Sequence, residues 1–348
     1  MGNYPRIGIM VAKKSFRKRI LQLYQKYCPE DLGLQLCAFT PDAVSVKKRT
    51  VTVLLPTKNG WKEKTVSPPA VVYNCYYNKT AKEINLFKIM GKDKIFNTVT
   101  FFNKWRVSSF LAQSEYSSYL PETFMYKSSL LPDYLEAWKL LFLKPVYGNK
   151  GRHVYRLEQK ENSEIYISTH SLPPRYICRQ NEDSRQKLQN VLPSKKYIMQ
   201  RGIESSKLDN CFFDLRFLVQ KNISGNWQVS VAACRLAYES YFNTSAFQGI
   251  YVAENFLPKI KGQAGTFLLE QLKEISIGVA KVLDRRLGLL GELSVDFILD
   301  ENNRPWIIEV NGKPQKSIYK DLEAIPQKQL IFQKPLEYAY YLSQLSST

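Results

Sequence analysis

The chain has 348 residues, 44% of them hydrophobic, with 50 Lys and Arg against 31 Asp and Glu, a net charge of +19. That length and apolar content exclude a disordered chain and allow two or three structural units with buried cores, while the excess of cations points to an anionic partner. Six cysteines, no two closer than nine residues, and only two histidines exclude zinc-finger and CxxC redox chemistry. In chain order, residues 7–11 form a short apolar run predicted as a strand. Residues 15–27 read as a helix, 34–39 as a second strand, and 69–73, apolar and β-branched, as a third, which together predict a small α/β layer. Residues 1–98 hold 18 Lys or Arg against 6 Asp or Glu, net +12, and residues 99–348 hold 32 against 25, net +7. The basic charge is concentrated in a front unit, 1–98, which a linker at 91–94 separates from the remainder, 99–348.

In the second unit, residues 105–118 read as a helix stopped at Leu120-Pro121, and 140–144 as a buried strand broken by Pro145. Residues 158–196 are polar and weakly patterned and read as hairpins and loops. Further on the period becomes two: Phe213, Leu215, Phe217 and Val219 alternate with Asp214, Arg216, Leu218 and Gln220, which predicts a strand with one functional face. Residues 266–287 read as a long amphipathic helix closed by Gly288. No apolar run approaches the roughly 20 residues needed to span a bilayer, and the start, MGNYPRIGIMVAKKSF, has no leader pattern. The expectation is a cytoplasmic protein with reduced thiols and no membrane partner.

The most informative stretch is GELSVDFILDENNRPWIIEVNGKP, residues 291–314. Two β-rich runs flank Asp300-Glu301-Asn302-Asn303 and predict a hairpin. With Asn302-Asn303 as the turn centre, Asp296 stands opposite Glu309, and Asn311 shares their face. Val295, Phe297, Ile308 and Val310 then point to the other side. Opposed carboxylates repel, and a hard cation would neutralise them; oxygen ligands without His or Cys favour magnesium or manganese. The alternative is a solvated hairpin face.

Two further constellations accompany it. Lys144-Pro145 followed by Tyr147-Gly148-Asn149-Lys150-Gly151-Arg152 places a lysine at the end of a buried strand beside a glycine-containing loop, a combination that suits a phosphate. It has neither Walker nor GxGxxG spacing, and an ordinary hairpin loop is the alternative. Asp214, Arg216 and Arg235 suit a phosphate or carboxylate substrate, or else an internal salt bridge between Asp214 and Arg216. Basic clusters such as Arg17-Lys18-Arg19 and Lys47-Lys48-Arg49 come with no RNA-binding or helix-turn-helix signature, so nucleic acid is not the expected partner.

Taken in order, Lys104, Lys144 with its glycine loop, Met199-Gln200-Arg201-Gly202-Ile203, Asp214-Leu215-Arg216, and Asp296, Glu309 and Asn311 resemble the ATP-grasp superfamily. The phrases Val72-Tyr73-Asn74, FFNKW, LPET, LKPVYGNKGRHV, FFDLRFLVQKN and IIEVNGKP resemble more narrowly the YheC/YheD family of endospore-coat-associated ATP-grasp proteins. The resemblance implies a mixed α+β and α/β chain: an N-terminal α/β pre-ATP-grasp unit, then an ATP-grasp domain of two α+β lobes gripping a nucleotide between antiparallel sheets. It implies that Lys104, Lys144, Gly148, Lys150 and Gly151 meet ATP phosphates and that Gln200, Arg201 and Ile203 meet adenine. Asp296, Glu309 and Asn311 would hold Mg2+, with Mn2+ as alternative, and Arg216 and Arg235 would steady the transferred phosphate or the substrate carboxylate. The ribose-binding acid is Glu204 or Asp209. The implied activity is ADP-forming carboxylate-amine or carboxylate-thiol ligation through an acylphosphate. An acidic small molecule, peptide or polymer is the expected substrate, and spore-coat proteins are the expected partners. A non-catalytic ATP-binding or scaffold protein assisting coat assembly is the rival reading.

Overall fold

The apolar runs of the first hundred residues assemble around one amphipathic helix. In the computed structural model, which describes residues 4–77, 85–180, 182–322 and 328–345, the N-terminal sheet holds β1 (Arg6–Met10), β2 (Gln35–Phe39), β3 (Val44–Ser45), β4 (Thr50–Thr57), β5 (Gly60–Val66), β6 (Val71–Asn74) and β7 (Ile95–Phe96). Its order is β3-β4-β2-β1-β6-β7, with β5 paired to β4. Neighbours among β2, β1, β6 and β7 run parallel, and β4 joins β2 antiparallel. Between β1 and β2, α1 (Phe16–Lys26) turns Arg17, Leu21 and Tyr24 inward at the spacing of one helix face. The β4–β5 hairpin is absent from the sequence reading although Asn59-Gly60 marks its turn. The stretch read as a linker is a single 3-10 turn, Lys92–Lys94, that leads directly into β7.

The second sheet contains β8 (Thr123–Met125), β9 (Leu140–Pro145), β10 (Tyr155–Gln159), β11 (Ile165–Ser168), β12 (Tyr176–Cys178) and β13 (Tyr197–Arg201), antiparallel in the order β12-β11-β10-β9-β13-β8. Before it, α2 (Lys104–Ala112) is shorter than the sequence reading: Asn103 caps it by accepting the Arg106 amide, and the chain then breaks into turns before Leu120. One face of the sheet packs Leu141, Leu143, Leu157 and Met199 against α3 (Leu131–Trp138) and α4 (Ser184–Val191). The helix α4 stands within the segment read as hairpins and loops; Asp183 accepts the Arg185 amide at its start.

The third sheet holds β14 (Lys207–Leu208), β15 (Cys211–Lys221), β16 (Trp227–Ala237), β17 (Phe247–Val252), β18 (Glu292–Leu299) and β19 (Pro305–Asn311), antiparallel in the order β17-β16-β15-β18-β19 with β14 on β15. The period-two reading of β15 is realised. Phe213, Leu215, Phe217 and Val219 enter a core with Val295 and Phe297 beneath α5 (Ala253–Lys261) and α6 (Gln263–Leu287), leaving Asp214 and Arg216 on the opposite face. The long helix α6 ends at Gly288, whose φ of 100° a side chain would resist. A separate core joins the first sheet to the third: Ile7, Ile9, Val71 and Tyr73 pack with Leu218, Val231 and Ala233 and with Phe332 and Leu336 of α7 (Leu330–Gln344). No described helix is long and apolar enough to cross a membrane.

Candidate functional site

The second and third sheets face each other across a cleft lined by Lys104, Lys144, the 148–152 loop, Gln200, Asp214, Arg216, Arg235, Asp296, Glu309 and Asn311. Strand alternation puts Lys144 there, because its neighbours Leu143 and Leu141 belong to the core behind β9. Its ammonium donates to Gln200 Oε1 at 2.7 Å and to the Ile308 carbonyl at 3.4 Å. Burial pushes this lysine down to about 8 from its ordinary 10.5; Glu309 and Asp296 oppose the fall and Lys104 adds to it. A lysine so desolvated is poised to gain from any polyanion that enters.

The metal-candidate hairpin has the expected pairing of Asp296 with Glu309, reached by a different route. The turn is one residue longer than a centre at Asn302-Asn303 requires, since the Asp300 amide bonds the Arg304 carbonyl and Leu299 pairs with Pro305. A bulge then absorbs the extra residue: Phe297 pairs with Ile307, Asp296 with Glu309, and Ile308 stands unpaired between them. This corrects the expected side of Ile308. It lines the cleft, and Ile307 takes the core position beside Val310.

The expected repulsion between the two carboxylates is relieved by side chains. Arg216 grips Asp296 through Nε at 2.7 Å and through Nη2, Arg235 grips Asp214 in the same bidentate way, and Thr244 donates to Asp214. Arg235 also reaches Asp296 at 3.4 Å. The internal salt bridge between Asp214 and Arg216 is therefore replaced by pairs that cross strands, as the register Asp214–Arg235 and Arg216–Asp296 demands. Glu309 is half-buried against Lys104, whose Nζ also donates to the Gly148 carbonyl at 3.2 Å. Burial pushes the Glu309 carboxyl up, but Lys104, Arg216 and Lys144 outweigh it and hold the group at about 2. Burial raises Asp296, against the pull of Arg216 and Arg235.

The 148–152 loop closes the cleft from the second sheet. Lys150 and Gly151 both adopt left-handed backbone, with φ of 55° and 62°. A Cβ on Gly151 would lie 2.6 Å from Asn243 Nδ2 and 2.7 Å from Ser245 Oγ, so any side chain there would crowd the β16–β17 connection that the loop approaches. Lys150 is exposed at the mouth. Of the residues expected at adenine, Gln200 is buried and donates to Thr123 at 3.0 Å, Ile203 lines the cleft, and Arg201 lines it while pairing loosely with Glu122 at 3.6 Å. Glu204 also lines it. Asp209 does not; it sits with Asn210 in the left-handed turn between β14 and β15. Sequence reasoning missed Thr244, Asn243 and Ser245, which carry no motif, and Arg156, whose place in an alternating strand was a usable signal.

The order and placement of these residues agree with a family description: the model of YheC/D-like ATP-grasp sequences matches residues 92–342. The chain belongs to the YheC/D-like ATP-grasp family. Two Bacillus subtilis (strain 168) proteins are similar to it over most of its length. Endospore coat-associated protein YheD is 25% identical over 365 residues, covering 99% of this chain and 80% of YheD. Endospore coat-associated protein YheC is 26% identical over 333 residues, covering 91% and 90%. Among solved structures, the D-alanine-D-alanine ligase from Coxiella burnetii aligns with a TM-score of 0.55 at 10% identity, over 99% of this chain and 97% of the ligase, a likeness of fold alone.

Proposed function

We propose that this protein binds Mg-ATP between its second and third sheets and uses it as an ADP-forming ligase joining a carboxylate to an amine or thiol. The observation that carries the reading is the convergence in one cleft of Lys144 from β9 with Lys104, Asp296, Glu309 and Asn311. The donor set fits magnesium or manganese: three oxygen ligands, one of them a carboxylate held ionised far below neutrality, leave room for phosphate oxygens and water. When bound, the metal supplies neutralisation of charge on the β- and γ-phosphates.

The chain's own residues do the rest. Lys144 and Lys104 bind phosphate, Gly148, Lys150 and Gly151 cover it, and Gln200, Arg201 and Ile203 hold the adenine with Glu204 at the ribose. Arg216 and Arg235 orient the carboxylate whose oxygen attacks the γ-phosphorus; ADP departs, and the nucleophile displaces phosphate from the acylphosphate. Residues 1–98 act as a basic front unit that draws in an acidic small molecule, peptide or polymer. Relatives named for the endospore coat support association of a cytoplasmic protein with the coat and its proteins. Thermal unfolding with and without Mg-ATP tests the first step: ligand at about 100 times its dissociation constant adds roughly 2.7 kcal/mol, and no shift at millimolar Mg-ATP sinks the reading.

A second reading, ATP binding without turnover in an assembly role, is favoured by one observation: Arg216 and Arg235 are each held bidentately by a buried carboxylate. Phosphate release in the presence of carboxylate and amine pools separates the two. Tight nucleotide binding with no release under any pool supports assembly, and AMP with pyrophosphate contradicts the ligase chemistry.

A further inference from the structure

We propose that Lys313 and Tyr77 form a recognition site for a second carboxylate on the substrate, distinct from the one being activated; this rests on the ligase reading above. The cations of the cleft fall into two groups. Lys144 donates to Gln200, Lys104 pairs with Glu309, Arg216 with Asp296 and Arg235 with Asp214. Lys150, Arg152 and Lys313 line the same cleft with no carboxylate paired to them among the described residues; Lys150 and Arg152 belong to the 148–152 loop, whereas Lys313 follows β19, and its nearest carboxylate, Glu292, is taken by Lys316. The Lys313 ammonium rests 4.0 Å from the centroid of the Tyr77 ring. A cation held over an aromatic face keeps its position without using its three N–H donors, which stay available to an incoming oxyanion.

The ring is itself braced. Tyr77 packs edge-on against Phe101 at 5.9 Å, and Phe101 lies against Tyr147, beside the glycine loop, at 5.3 Å. The position along the cleft fixes what Lys313 can meet. Ser205, next to the adenine segment, bridges to Asp300 at the turn of the β18–β19 hairpin, whereas Lys313 follows the other end of β19. Seven strand residues separate these ends, roughly 20 Å. Lys313 therefore stands past the metal-candidate residues, on the side of the basic front unit, where a substrate and not a nucleotide base would lie.

The test is calorimetry on the Mg-ADP-saturated protein with glutarate and with its monoamide, glutaramate, which keeps one carboxylate and loses the other charge. Expected is a preference for glutarate of about tenfold or more. Lys313→Met should remove that preference by weakening glutarate alone, Tyr77→Leu should reduce it, and both variants should bind Mg-ADP within about twofold of wild type. Equal affinity of the wild type for the two probes, absence of binding by either, or a preference that survives Lys313→Met overturns the proposal alone. Failure of the wild type to bind Mg-ADP overturns the ligase reading and this site with it.

Discussion

Arg216 holds both carboxylate oxygens of Asp296 on adjacent strands, with Asp296 about 1% exposed. Asp296 is thus a structural counter-ion as well as a candidate metal ligand. Asp296→Asn leaves two buried guanidinium groups short of charge and is expected to lower the stability of the ligand-free protein by roughly 3 kcal/mol. Glu309→Gln also removes a charge that Lys104, Arg216 and Lys144 face, but at a side chain 26% exposed, and should cost less, about 1 to 2 kcal/mol. Urea denaturation of the two variants checks this contrast; equal losses would count against it. Both should lose magnesium-dependent nucleotide binding.

Lys144→Ala should weaken ATP affinity by roughly 10- to 100-fold, the range for a charge-assisted contact, while Lys104→Ala has a smaller effect because Lys104 already spends part of its charge on Glu309. Titration calorimetry in constant magnesium reads both.

Lys144 also sets a pH signature. With a folded value of about 8 against an ordinary 10.5, the folded state releases this proton before the unfolded chain does, so the group's contribution to stability rises with pH from about 8 to 10.5 and its full penalty is present below 8. Nucleotide phosphates favour the charged form. ATP binding at about pH 9 should therefore take up a proton, seen as a dependence of binding enthalpy on the ionisation heat of the buffer. Lys144→Ala should abolish that dependence.

Gly151→Ala puts a methyl group between Asn243 and Ser245 at a left-handed φ and should weaken ATP binding by roughly tenfold with little loss of global stability, because it acts on loop closure. Comparison of ATP affinity with the thermal midpoint of the free protein checks it.

The sequence made the site's residue types and their grouping legible, because strand alternation and hairpin pairing are local rules: Asp214 with Arg216, and Asp296 with Glu309, follow from a period of two. What it hid was non-local. The partners of Arg216 and Arg235 depend on how β15 sits between β16 and β18, which no local spacing encodes. The bulge at Ile308 offset a misplaced turn centre, so the register was right and the side of one residue was not. The helix α5 carries Pro258 inside it, which argues locally against the helix that packing on the third sheet stabilises.

The shared core of the first and third sheets decides which parts of the molecule resist separation. Phe332 and Leu336 of α7 pack with Ile7 and Tyr73 on one side and with Leu218 and Ala233 on the other, whereas the second sheet's core, built on Leu141, Leu143 and Met199, is its own. Two of the three sheets thus share one core, and the second sheet's core residues do not join it. Parting the first sheet from the third would tear open a common apolar core, whereas the second sheet would leave with its own core intact.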